Sequence, residues 1–289
     1  MKGPLRYADI FNDKTFKYLL GEDGKQSMIS LLRTFLNLPD IEDITYLPTE
    51  NVGVGEDDIQ SHYDIACMTT SGERFIVEAQ VAEQQYFGDR AFLYLSEMVH
   101  RAAKAARDKW KETHEKGWNY KFSPIYLLVL FKGRDGQEHT TGNCIHTYRM
   151  QEVRTREDLR ADVTVTFVEL GKYRRKQETT DILDQWLYTL KNIKRMEEMP
   201  AWITDDGLKS LYHKSDLKNI PDPIRTKYLE SMTTENDWLN AIDFAEEKAE
   251  ARGRAQQSRA IAKMMKDAGE PVDKIALFTG LSEAEIPQL

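Results

Sequence analysis

Apolar positions at broken helical spacing open the chain. Phe16, Leu19, Leu20, Ile29, Leu32, Phe35 and Leu36 share this pattern, and Gly21-Glu22-Asp23-Gly24 interrupts it. The pattern predicts two helices within 12–37 joined by a turn at that tetrapeptide, with Asn12 or Asp13 capping the first. Strand-like composition follows at 44–47, 62–69 and 74–80, and Thr70-Ser71-Gly72 supplies a turn between the last two. Residues 86–110 return to a helical pattern, with Phe87, Leu93, Leu95, Met98 and Val99 set among charges. Residues 123–131 form a continuous apolar run of strand length, as expected of a central strand covered on both faces. Further strands are predicted at 144–150 and 163–170. From Thr180 onward only helical signals remain, over 182–199, 206–213, 223–232 and 237–255. Residues 260–289 read as a small helical unit. Gly269-Glu270-Pro271 breaks its first helix, Gly280 ends the second, and Ser282 caps a short third with Glu285 at the capping-box position. This order predicts a mixed α/β domain over 1–175, a helical extension over 176–252 and a small C-terminal helical tail over 253–289.

The hairpin around Ser71 carries the chemistry. Asp64 stands seven residues before Ser71 and Glu78 seven after it. A hairpin folded about that centre sets the two carboxylates opposite one another or one diagonal apart, with facing Cβ atoms about 5 Å apart. Gln80, two residues past Glu78, projects from the same face, while Ile65, Val77 and Ala79 take the opposite, packed face. Two carboxylates and an amide oxygen converging in this way suit a hard divalent cation such as Mg²⁺ or Mn²⁺. The alternative is an ordinary polar face on an exposed hairpin. Like charges directly opposed on a sheet cost about 0.2–1 kcal/mol, so either a bound cation or a basic partner such as Lys17 or Arg90 must offset them.

Composition narrows the function classes. The 289 residues are 40% hydrophobic and 30% charged, with a formal net charge of -8. That balance suits a globular protein with exposed helices. It argues against a protein that coats nucleic acid by charge alone, but not against an enzyme with a local basic surface. The first residues lack the apolar core of a signal sequence, and the longest apolar run, 124–131, is far too short to span a bilayer, so no membrane association is expected. Two cysteines, Cys67 and Cys144, cannot build a disulfide framework and fit reduced thiols in a cytoplasmic protein. The six histidines show no metal-ligand spacing, and no phosphate-binding Gly-rich loop, nucleophile elbow or zinc motif is present.

The Asp64…Glu78-Ala79-Gln80 arrangement resembles the variant of the PD-(D/E)XK nuclease signature in which Gln takes the place of the lysine. More specifically, the chain resembles the recombination-promoting nuclease (Rpn)/transposase family. The segment Asp13-Lys14-Thr15-Phe16-Lys17-Tyr18-Leu19-Leu20-Gly21 is similar to that family's opening motif, and Phe35-Leu36-Asn37 to the one that follows. Phe87…Arg90…Tyr94 is similar to its helix after the hairpin, and Ile275-Ala276…Thr279-Gly280-Leu281-Ser282…Glu285-Ile286 to its C-terminal tail. The resemblance covers about 8–131 and, less closely, the tail. Residues 140–250 match no motif.

The resemblance implies a restriction-endonuclease-like mixed β-sheet flanked by helices, and a Mg²⁺-dependent (or Mn²⁺-dependent) DNA endonuclease linked to recombination or mobile elements. Asp64 and Glu78 carry over as metal ligands. Gln80 orients the attacking water or ligates the ion through its carbonyl, and it brings no positive charge. The missing cation then comes from Lys17, from Arg90 or from the metal itself. Asp13 is either a helix cap, the favoured role, or a further carboxylate at the site. Lys17 either lies on a solvated helix face or contacts phosphate. Arg90 and Tyr94, four residues apart on one helix face, clamp a phosphate if they point at the site.

A run of basic residues comprises Arg101, Lys104, Arg107, Lys109, Lys111, Lys116 and Lys121, with Trp110, Trp118 and Tyr120 interleaved. A second run holds Lys172, Arg174, Arg175 and Lys176. Both read as either a phosphate-tracking groove or solvated faces. The expected partner is DNA, with a homo-oligomer left open and the tail suited to protein contacts. The rival function is a catalytically weak or inactive nuclease-fold module that binds DNA or protein.

Overall fold

A computed structural model describes residues 5–51, 61–81, 86–113, 117–133, 143–174 and 178–288. Among them, helices α1 (Asp13–Leu20) and α2 (Lys25–Leu36) follow the opening pattern, joined by a 3-10 turn over Glu22–Gly24. Asn12 caps α1, its side chain accepting from the Lys14 N–H. Asp13 therefore does not hold the favoured cap role: it is the first helical residue and its carboxylate turns to lysines. Strands β1 (Ile44–Tyr46), β2 (Glu50–Asn51), β3 (Ser61–His62), β4 (Ile65–Thr69) and β5 (Arg74–Gln80) come next. The strand expected over 62–69 is thus shorter, and Asp64 occupies a bend just before β4.

Helix α3 (Phe87–Thr113) returns the chain to β6 (Ile125–Phe131), and β7 (Ile145–Arg149) and β8 (Val163–Glu169) complete the strands. The main sheet has the order β1-β4-β5-β6-β8-β7. β5, β6 and β8 run parallel, while β1, β4 and β7 pair antiparallel to their neighbours. The parallel centre explains the continuous apolar run of β6. Leu128 and Leu130 enter one core, and Leu127 and Val129 enter the other.

Ile65, Cys67, Phe75 and Val77 of the hairpin face the first core with Phe16, Leu20, Leu32 and Trp186. Ala66 and Ile76 face the second core, which is closed by Ala91, Leu95 and Met98 of α3. Period-two alternation therefore sends even-numbered residues of β5 toward α3.

Helices α4 (Ile182–Asn192) and α5 (Asp206–Ser215) also cover the first core, through Trp186, Leu190, Leu208 and Leu211. The chain divides into units Met1–Tyr228 and Leu229–Leu289, and α4 and α5 fall in the unit that holds the sheet. The two helices expected over 223–232 and 237–255 are one continuous α6 (Asp222–Asp267). No proline follows Pro223 in the first turn, and Gly253 alone is not enough to stop it. In the second unit, α7 (Val272–Thr279) ends at Gly280 (φ 69°), as expected, and Ser282 donates to Glu285 Oε2 at 2.6 Å. The third helix is reduced to a 3-10 turn over Ile286–Gln288. No helix among the described residues is long and apolar enough to cross a membrane.

Candidate metal centre

The register of β4 and β5 pairs Ile65 with Val77 and Met68 with Arg74, so the hairpin is centred as its sequence predicts. Continuing that register by one residue sets Asp64 opposite Glu78. The two are locked by reciprocal bonds. The Asp64 N–H donates to Glu78 Oε1 at 3.1 Å, and the Ala79 N–H donates to Asp64 Oδ2 at 2.8 Å. Each carboxylate thus uses one oxygen to grip the opposite strand. Asp64 Oδ1 and Glu78 Oε2 accept no hydrogen bond from a described residue.

Glu78 is 2% exposed. Burial, and after it the charge of Asp64, pushes the Glu78 carboxyl up to about 8. Asp64 is raised too, by burial, with the Ala79 N–H, Lys17 and Arg90 working in the other direction. Gln80 is buried and shares the α3-facing side of β5, since its partner Phe131 packs against the second core.

Lys17 and Arg90 both come into electrostatic reach of this pair. Lys17 Nζ lies 2.7 Å from Asp13 Oδ1, and Lys14 Nζ lies 2.8 Å from Asp13 Oδ2. Burial disfavours the Lys17 charge, but the Asp13 hydrogen bond and the fields of Asp13, Asp64 and Glu78 outweigh it and raise its pKa. The two lysines outweigh burial at Asp13 and lower its pKa. Asp13 itself adds a negative field at Asp64. The Arg90 guanidinium stacks over the rings of Phe87 at 4.9 Å and Tyr94 at 5.7 Å. Tyr94 is raised by burial and by the charge of Glu78, so this face of α3 looks onto the acids. Tyr63, one residue before Asp64, packs edge-on against Tyr94 at 5.3 Å.

A buried acid and a half-buried one whose pKa values are both raised make a pair short of positive charge, as a cation site requires. Among the described residues no three His, Cys, Asp or Glu side chains converge on one point. An ion here would therefore have at most two carboxylates and would draw further oxygens from Gln80, substrate or water. That donor set fits Mg²⁺, which keeps waters and pairs one or two carboxylates with phosphate oxygens.

The basic runs divide. Arg101 pairs with Glu97 at 2.9 Å and stacks over Tyr63, while Lys104, Arg107, Lys109, Lys111 and Lys121 are exposed. Lys172 pairs with Glu169, and Arg174 donates to the Gly171 carbonyl. Lys116, Arg175 and Lys176 lie outside the described residues.

Another charged cluster has no local sequence signal. Asp9, 4% exposed at its side chain, binds Lys132 Nζ at 2.6 Å and Lys194 Nζ at 2.9 Å. Lys132 is 123 residues from Asp9, too distant for any spacing rule to connect them.

A sequence model of the PD-(D/E)XK nuclease family transposases matches residues 10–245. No curated protein and no solved structure matches the chain.

Proposed function

The chain belongs to the PD-(D/E)XK nuclease family transposases, and from that membership we propose that it is a metal-dependent endonuclease that hydrolyses DNA phosphodiesters. The observation that carries this reading is the pairing of half-buried Asp64 with buried Glu78, cross-bonded through Glu78 Oε1 and Asp64 Oδ2. Asp64 and Glu78 would hold Mg²⁺ or Mn²⁺, with Gln80 as a further oxygen donor. A divalent ion there supplies Lewis-acid polarisation of the phosphoryl group and makes water a better nucleophile near neutral pH.

The chain's own groups do the remaining work. The backbone N–H bonds to Asp64 and Glu78 fix both carboxylates in orientation before substrate arrives. Gln80 accepts or donates a hydrogen bond to orient the attacking water. Lys17 and Arg90 stabilise charge developing on the phosphate, in place of the signature lysine that Gln80 replaces. Arg90 is held by its stacking on Phe87 and Tyr94, which lowers the entropic cost of its contact. The same reading links the protein to DNA recombination or mobile elements and places it in the cytoplasm, where Cys67 and Cys144 stay reduced.

Supercoiled plasmid incubated with Mg²⁺ or Mn²⁺ tests this. Wild type is expected to nick the plasmid, and EDTA to stop it. Asp64→Asn and Glu78→Gln are each expected to slow nicking more than about 100-fold, since even the partners of metal ligands cost 10–100-fold. Gln80→Ala is expected to reduce turnover with the fold retained, as read by circular dichroism. Equal nicking by wild type and both acid variants would remove Asp64 and Glu78 from the chemistry. A gel shift without any nicking would favour a nuclease-fold binding module.

A further inference from the structure

We propose that Arg74, on the sheet face that carries Glu78 and Gln80, holds a DNA backbone phosphate four residues along β5 from the acid pair; this rests on the nuclease reading above. Three observations lead there. The first is an unanswered charge. Arg74 is half-buried, and among the described residues its guanidinium has no hydrogen-bond or ion-pair partner. Arg101, Arg160 and Arg225 are half-buried as well, and each holds a carboxylate: Glu97 at 2.9 Å, Asp162 at 2.7 Å, and Asp222. Glu73, the acid next in sequence to Arg74, turns instead to the hydroxyls of Thr69 and Ser71. A guanidinium kept partly out of water without an acceptor is a ready donor fork for a phosphate, which it grips through two parallel N–H bonds.

The second observation is the local field. Burial, and after it the charge of Arg101, pushes the Arg74 pKa down. Arg101 is held in place beside it. It pairs with Glu97, donates to the Pro48 carbonyl at 3.4 Å and lies over the Tyr63 ring at 5.5 Å. Glu97 thus answers Arg101, and no described carboxylate answers Arg74. The place is short of negative charge, as the Asp64–Glu78 pair is short of positive charge, and an anion relieves it.

The third is position. Phe75 and Val77 enter the first core and Ile76 the second, so alternation sends Arg74 to the α3 side with Ile76, Glu78 and Gln80. Four residues of strand put the Arg74 backbone about 13 Å from that of Glu78. Successive phosphates of one strand in a duplex are about 3.4 Å apart along the axis, so a duplex lying along β5 brings to Arg74 a phosphate about four nucleotides from the one attacked. The sheet is open beside Arg74. Its partner on β4, Met68, is half-buried, and Thr45, opposite Met68 on β1, is exposed. Both take the α3 side by the same alternation, since Ile44, Ile65 and Cys67 enter the first core.

The test is fluorescence anisotropy of a labelled DNA duplex in EDTA, where nothing is cut, across about 50–200 mM NaCl. Each phosphate contact contributes about -0.9 to the slope of log affinity against log salt. Arg74→Gln is expected to make the slope shallower by about 0.9, which is about 3.5-fold less loss of affinity over this fourfold range of salt. Arg74→Lys keeps the charge and is expected to keep the wild-type slope. Lys209→Gln is expected to keep it too, because that lysine pairs with Asp206 on α5, which covers the other face of the sheet. Thr45→Glu offers Arg74 a carboxylate from an exposed position and is expected to make the slope as shallow as Arg74→Gln does.

An unchanged slope in a folded Arg74→Gln overturns the proposal, whether or not its melting temperature falls, as does a wild type that does not bind duplex. If Arg74→Gln does not fold, Thr45→Glu decides, and an unchanged slope there overturns the proposal. Plasmid nicking run alongside separates the two readings. Nicking with unchanged slopes overturns the phosphate contact alone. Shallower slopes without nicking support the phosphate contact while the hydrolytic reading fails.

Discussion

Asp64 and Glu78 hold each other at a cost. Each accepts a backbone N–H from the opposite strand, which orients them, but burial and their mutual repulsion leave Glu78 titrating at about 8 rather than at its ordinary 4.5. A carboxyl whose folded pKa is raised contributes stability that is fully present below about pH 4.5 and is lost as pH rises through about 8. In EDTA, thermal melting of the wild type is therefore expected to show a loss from this site between those values. Glu78→Gln, which cannot ionise, is expected to raise the melting temperature at pH 8.5 and to leave it nearly unchanged at pH 4.5. A variant equally shifted at both pH values would show that charge at Glu78 is not what strains the apo site. Mg²⁺ is expected to stabilise wild type more at the higher pH, because it binds the ionised pair.

The elements around the site are set by close packing as much as by propensity. Helices α2 and α5 meet at Gly207, where an added Cβ would lie 2.3 Å from Ser30 Cβ and 3.0 Å from the Gln26 carbonyl. Ser27 Oγ donates to the Gly207 carbonyl at 2.8 Å across the same contact. Gly207→Ala is expected to destabilise the protein by about 1–3 kcal/mol, read as a lower urea midpoint, because the helices must separate. Much at this scale was legible beforehand. The turn at Gly21–Gly24, the Ser71 hairpin and the doubly covered β6 all follow from local period and turn chemistry. The division of α6 into two helices did not survive, because a lapse in apolar periodicity is not a helix breaker. Asp13 lost the expected cap role to Asn12, since either side chain can serve and only the traced first turn distinguishes them.

At the scale of the molecule, a net charge of -8 coexists with cations gathered near the acid pair, Lys17 from α1 and Arg90 from α3. Far-field repulsion and a local positive site are compatible, since screening confines each to about a Debye length of 8–10 Å. Among the described side chains of the second unit, Ala262, Ile275 and Ile286 are buried, with Met265, Ala276 and Leu281 packed around them. Helix α7 buries Ile275 alone, whereas β6 is covered on both faces, so α7 has little apolar burial to protect its amides. Hydrogen exchange followed by mass spectrometry is expected to find the amides of α7 exchanging at least about 100-fold faster than those of β6. Equal protection would show that the second unit draws stability from contacts beyond its own cluster.

The sequence by itself determined the hairpin centre, the shared face of Glu78 and Gln80, and the opposition of Asp64 to Glu78. These depend only on the two-residue pleat period and on a turn a few residues away. It also carried the family resemblance, which the match over 10–245 bears out. Only the tertiary structure decided which charges surround the acids. Lys17 reaches them from α1 and Arg90 from α3, and Asp9 gathers Lys132 and Lys194 from two other regions of the chain. Only it decided, too, that β8 inserts between β6 and β7. Contacts between residues a hundred positions apart arise from how two apolar faces are jointly buried, and local periodicity holds no record of that choice.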